Sequence, residues 1–395
     1  MSLRGSLTIC SALACAAFVA CTSSTSTPAP EAADAGTTAA ALPALGANDV
    51  SVLVPLPKTA AAPDMLAPTS AGTRGVLLPQ AVYDKIPKFG VQPVDALDYA
   101  RMRVVAIRFD GCFPGKNGCD AQIRLVMQPI DDTRSALDSA IHLFYRLTEP
   151  ELAEVVTELR KLRELAPEQT DGPLDVSPPL RAQGLDGPYG AALKELVLKY
   201  AGEQVLVRMT FFLRAPPLNE EWFLGGFDRD AASGAMQQLE IVGVGKGNQR
   251  VNRAMATEGY SYSFTPAGKT PEDVTALLDS AKAKTAAPED VKKAFEAFLR
   301  IENPTKYGPD QLPCAGCHVS TVATEFAKTS LGLDPAAAAD AFTSARDLTL
   351  RGQAAATPSS LRGFGWFEKK AMIGRRVANE TAAVVDDLEK RFPAR

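Results

Sequence analysis

Leu312-Pro313-Cys314-Ala315-Gly316-Cys317-His318 brings two thiols and an imidazole together within five consecutive residues. The spacing C-x-x-C-H has a physical reason in haem chemistry. Two thiols add to the two vinyl groups, and the adjacent imidazole reaches the iron from one side. The motif therefore implies one covalently held haem per chain, attached to Cys314 and Cys317, with His318 as an iron ligand. The chain has only seven cysteines and two histidines, so the motif is a rare chance event at this composition.

Other chemistries use the same residues. A thioredoxin-like dithiol needs its C-x-x-C at the start of a helix that follows a core strand, whereas Asn303 to Pro309 reads as loop. A zinc site has two thiolates and one imidazole here but no evident fourth partner, and an iron-sulfur cluster needs four cysteines. A plain disulfide leaves His318 without a role. No G-x-S-x-G or H-E-x-x-H occurs, and Gly243-Val244-Gly245-Lys246-Gly247 is neither a dinucleotide fingerprint nor a phosphate loop.

The N-terminus reads as an export signal, residues 1–20, with Arg4 ahead of an apolar stretch from Leu7 to Ala20 too short to span a bilayer. Phe18-Val19-Ala20-Cys21 resembles the bacterial lipobox, in which cleavage leaves an acylated cysteine as residue one; Ala12-Leu13-Ala14-Cys15 is a poorer second match. Acylation at Cys21 predicts a lipoprotein facing the periplasm or cell surface, with the outer membrane favoured. Residues 21–48, rich in Thr, Ser, Pro and Ala, read as a tether. An oxidising compartment makes Cys112 and Cys119, which bracket a Pro- and Gly-containing loop, a predicted disulfide. With 42 basic and 46 acidic residues the chain has no global field to attract nucleic acid, so any charged docking surface must be local.

The elements that position the motif read as an α+β fold. Residues 49–268 predict a mostly antiparallel sheet domain of unknown role. Strands are expected at Met102 to Asp110, Ala121 to Met127, Ala140 to Leu147, Val205 to Leu213, Trp222 to Phe227, Leu239 to Val244 and Tyr260 to Phe264. A helix opens with the capping box Thr148-Glu149-Pro150-Glu151, and another covers about Pro188 to Ala201. Residues 269–395 then predict a separate helical domain, with helices from Thr270, from Thr285 to Arg300, and from about Asn379 to Arg391.

From about Pro288 to the C-terminus the chain resembles the c-type cytochromes, on the haem motif, the helix before it, the helix ending the chain and a later methionine. That resemblance implies a single-haem electron carrier, with a thioether as sixth ligand, and Met372 is the one methionine beyond the motif. The family helix runs directly into its motif, whereas Asn303 to Pro313 intervenes here. His142 is the alternative ligand if the sheet closes over the haem, and a vacant position is the third possibility. Leu312, Val319, Phe326, Leu348, Leu350, Leu361, Phe364, Trp366 and Ile373 are candidates to line the pocket. Lys369, Lys370, Arg375 and Arg376 are a candidate docking patch for an acidic redox partner. The expected function is one-electron transfer by a membrane-anchored cytochrome that is not itself an enzyme. The alternatives are a five-coordinate haem sensor or peroxidase-like enzyme, or a structural lipoprotein that binds a partner.

Overall fold

Alternating side chains on one strand feed two different cores. On strand β5 (Leu206–Ala215), Met209, Phe211 and Leu213 enter one hydrophobic cluster while Phe212 between them enters another. A computed structural model of the chain describes residues 42–88, 98–111, 114–115, 118–166, 172–215, 220–254, 259–265, 274–350 and 361–394. The sheet that separates the two clusters has nine strands. In chain order these are β1 (Ser51–Leu53), β2 (Met102–Asp110), β3 (Ala121–Pro129), β4 (Ala140–Leu147), β5, β6 (Glu220–Arg229), β7 (Met236–Gln238), β8 (Gln249–Ala254) and β9 (Ser261–Thr265). They run in spatial order β1-β2-β3-β4-β5-β6-β8-β9, with β7 on β6, and every pairing is antiparallel. Leu239 to Val244 contributes only the two-residue strand Glu240–Ile241, paired with Gly245–Lys246 outside this sheet.

Helices cover both faces, which explains why β2 is buried along nearly its whole length rather than on alternate residues. Helices α1 (Glu149–Glu164) and α2 (Pro188–Tyr200) bury Leu152, Val155, Leu159, Leu193 and Val197 in the first cluster with Ile141, Leu143 and Tyr145 of β4. The capping box at the start of α1 forms as expected: Thr148 N–H donates to Glu151 Oε2 at 2.7 Å and Glu151 N–H to Thr148 Oγ1 at 3.5 Å. Thr148→Ala is expected to lower stability by about 1 kcal/mol and Thr148→Ser to leave it nearly unchanged, read from urea unfolding midpoints.

The second cluster forms where α3 (Pro288–Glu302) and α4 (Cys314–Leu331) bury Phe295, Phe298, Val319 and Ala323 against Phe212, Trp222, Leu224 and Val251. The described residues of 274–361 thus share their apolar cluster with the sheet. Residues 41–395 make one compact unit, without a division at 268. The physical reason is that amphipathic helices α3 and α4 find their apolar partner on the open sheet face. The helix expected from Thr270 begins outside the described residues, and the described part of that stretch forms a 3-10 turn, Thr275–Leu277, and a short helix, Ser280–Ala283.

The C-terminal region is also not helical throughout. Strands β10 (Phe364–Phe367) and β11 (Lys370–Ile373) form a hairpin ahead of α5 (Arg375–Arg391). Buried Gln128 on β3 ties the hairpin to the sheet, donating to Trp366 O at 2.8 Å and accepting from Trp366 N–H at 2.7 Å, as a neighbouring strand would. Trp366, Ile373, Val384, Val385 and Leu388 complete the first cluster. Among the described residues no helix is long and apolar enough to cross a membrane.

Candidate functional site

Helix α4 begins at the motif itself. Pro313, whose ring fixes φ, occupies the N-cap, and Cys314 is the first helical residue. Cys314, Cys317 and His318 stand at i, i+3 and i+4, so the first turn presents all three on one side. The Ala315 N–H, which has no partner within the helix, donates to Gln249 Oε1 at 2.8 Å. Gln249 is fully buried on β8, so the sheet sets where the motif helix starts.

His318 is held from two directions. Its Nδ1 lies 2.6 Å from the Leu361 carbonyl, which can only accept, so Nδ1 carries the hydrogen and Nε2 keeps its lone pair. Its ring stacks on Phe212 with centroids 4.9 Å apart and planes 15° from parallel. The Arg362 guanidinium lies 4.5 Å from the centroid of the same Phe212 ring. Asp138 accepts from Arg362 at 3.2 Å and from Trp222 Nε1 at 3.1 Å, tying the 361–363 segment to the sheet.

Two cavities, of about 230 and 160 Å³, open beside the motif and share His142, Phe144, Pro309, Cys317 and His318 in their walls. Cys314 lines the smaller one. On β4, His142 and Phe144 point away from Ile141, Leu143 and Tyr145 of the first cluster, so strand alternation delivers the second histidine of the chain to the first. Its cross-strand neighbours are Val126 and Thr210, and its Nδ1 sits 3.1 Å from Thr210 Oγ1.

Burial, with His318, Arg362 and Arg124 nearby, pushes the His142 pKa down to about 3. Burial and Arg362 take His318 down to about 4 against the opposing bond to Leu361. Both imidazoles are therefore neutral at physiological pH, the state that binds metal. Burial raises Cys314 to about 12 and Cys317 to about 11. That is opposite to a thioredoxin-like nucleophile, whose thiol is acidified. Among the described residues no three His, Cys, Asp or Glu side chains converge closely enough to hold a metal ion directly.

The larger cavity has a cationic wall: Arg108, Arg124, Arg362 and Arg376, with Glu380 the one carboxylate among its lining residues. Glu380 accepts from Arg108 at 2.7 Å and Arg124 at 3.3 Å, and Arg376 lies 4.0 Å away. Burial opposes ionisation of Glu380, yet these arginines hold its pKa well below the usual carboxylate range. Arg108 is also anchored by Ser51 and Thr381, and Arg124 by Asp110.

The motif residues and His142 come together; Met372 does not join them. Met372 is fully buried on β11 opposite Gly365 and lines neither cavity. Of the residues expected to line the pocket, Leu312 and Phe364 do so, and Leu361 contributes its carbonyl. Val319 belongs to the second cluster, and Trp366 and Ile373 to the first. The expected basic patch is partly tied up: Arg375 pairs with Glu325 at 2.7 Å, and buried Arg376 donates to the Ile301 and Tyr307 carbonyls. Arg108, Arg124, Phe212, Gln249, Arg362 and Glu380 were not legible as site residues. Strand alternation around His142 was the one local signal pointing toward Arg124 and Thr210. Cys21, Cys112 and the side chain of Cys119 lie outside the described residues. No family model, no curated protein and no solved structure matches the chain.

Proposed function

We propose that this is a membrane-anchored c-type cytochrome that carries single electrons on one haem. The observation that carries the reading is the meeting of the two histidines. The C-x-x-C-H face of α4 and His142 of β4 line the same two cavities, each ring held at Nδ1. The donor set fits the group: Cys314 and Cys317 supply the attachment thiols, and His318 and His142 two neutral imidazoles with Nδ1 engaged. Phe144 and Phe364 give the larger cavity an apolar aromatic wall, and its arginines suit carboxylate groups. When bound, haem iron supplies reversible one-electron chemistry. The protein's part is to hold both imidazoles neutral and oriented. Met372, packed inside the hairpin, is the less favoured ligand. The lipobox-like Cys21 and the Thr-, Ser-, Pro- and Ala-rich stretch after it support anchoring by N-terminal acyl chains, with a redox protein as partner; the expected tether stops short of 48, since Leu45 is buried in the first cluster and Ala47–Val50 is helical.

The test is intact mass and pyridine haemochrome analysis of protein made in an export strain with haem-attachment machinery. One covalent haem is expected, and none in the Cys314→Ser/Cys317→Ser variant. Haem-free protein, where a control cytochrome matures, would refute the reading. In the same cells, labelled fatty acid should enter the protein and be absent from Cys21→Ala.

A further inference from the structure

A third cavity, of about 310 Å³, lies among α3, α4, α5 and residues 334–348 and shares no lining residue with the two at the motif. Two buried side chains present oxygen acceptors there. Glu302, 1% exposed, accepts from Thr324 Oγ1 at 3.1 Å. Asn379, 4% exposed, donates through Nδ2 to the Glu302 carbonyl at 3.0 Å, while its Oδ1 has no hydrogen-bond partner among the described residues. A buried acceptor left so is costly, and a ligand that donates to it removes the cost.

The charges around these oxygens narrow the ligand. Arg375, the nearest cation, is committed to Glu325 at 2.7 Å and the Leu348 carbonyl at 3.0 Å. Lys328 is exposed, and Asp334 lies across the same cavity. With Glu302 ionised, three carboxylates (Glu302, Glu325, Asp334) face two cations (Lys328, Arg375), an excess of one negative charge. Leu299, Phe342 and Leu348 give the cavity an apolar side.

We propose that this cavity binds a small primary ammonium compound. Its nitrogen donates to Asn379 Oδ1 and the Glu302 carboxylate, and its hydrocarbon part lies against Leu299, Phe342 and Leu348. An ammonium has three donors and no acceptor, matching the acceptor oxygens of the lining residues Glu302 and Asn379, whereas an anion would meet the carboxylates. Burial raises Glu302 to about 7, against the pull of Arg375 and the bonds from Thr324 and Thr321. Binding therefore strengthens as that carboxylate ionises.

Calorimetric titration of the purified protein with n-butylammonium chloride, with n-butanol as neutral control, tests this. At about pH 8 the ammonium should bind saturably and the alcohol should not, and affinity should fall about tenfold or more near pH 5.5. Glu302→Gln and Asn379→Leu should each weaken binding about tenfold or more. Glu302→Gln keeps the shape and the Thr324 contact, so it serves if Asn379→Leu does not fold. Absence of saturable binding at the higher pH, equal binding of the alcohol, or affinity unchanged in the folded variants would overturn the proposal. Haem content does not enter these readouts, so the site stands or fails independently of the cytochrome reading.

Discussion

In the proposed cytochrome, His142→Ala is expected to convert a six-coordinate, low-spin haem into a high-spin one that binds carbon monoxide rapidly. Met372→Ala should leave the haem spectrum unchanged and lower stability by about 2–5 kcal/mol. The asymmetry comes from position. His142 lines both cavities beside His318, with its Nδ1 near Thr210 Oγ1. Met372 sits fully buried on β11, where removing its side chain leaves a void in packed core. Two imidazoles also predict a lower reduction potential than an imidazole with a thioether. Absorption spectra, carbon monoxide mixing and potentiometry of the two variants decide between the ligands. A far-red Met-iron band, lost in Met372→Ala and kept in His142→Ala, would reassign the ligand to the hairpin. Fast carbon monoxide binding by the unaltered protein would show that neither residue ligates.

The grouping of the motif residues was more legible than their surroundings because it is written in adjacent residues. C-x-x-C-H needs only the helical turn that α4 provides, and the alternation of Ile141, His142, Leu143, Phe144 and Tyr145 puts His142 with Phe144 on the face opposite the other three. The capping box at Thr148 and the mostly antiparallel character of the sheet were legible for the same reason. The cover over the His142 face was not. Helices α3 and α4 carry apolar stripes that would serve equally well in a separate helical domain, and nothing local says that Phe212, Trp222 and Val251 are their partners. The hairpin Phe364–Ile373 leaves little trace in the sequence because its strands are four residues long and Gln128, more than 200 positions earlier, bonds it to the sheet. The Leu361 carbonyl that orients His318 is backbone, which no residue type announces. Arg108 and Arg124 read as ordinary polar interruptions of strands, since the partner that makes them buried charges, Glu380, lies on the last helix.

Glu380→Ala is expected to cost about 3–5 kcal/mol in urea unfolding, out of proportion to the loss of one ion pair at a surface. Arg108, Arg124 and Arg376 surround this carboxylate, and Asp110 bonds Arg124 from the other side. Removing Glu380 takes away the carboxylate that Arg108, Arg124 and Arg376 share. Much of the expected loss is desolvated positive charge left without its counter-charge, so replacing both partners, as in Arg108→Met/Glu380→Met, should recover part of it. Added salt should change the result little, because these groups are shielded from mobile ions. The pH dependence has a definite sign. The folded-state pKa of Glu380 is held well below its ordinary 4.5, so its contribution is complete above 4.5 and is lost as pH falls toward the folded value. Wild type should therefore lose stability more steeply below 4.5 than Glu380→Gln. A cost near zero for Glu380→Ala, or parallel acid limbs for wild type and Glu380→Gln, would mean that the arginines are solvated in solution. The cationic wall of the larger cavity would then be a surface feature with no part in holding carboxylates of a bound group.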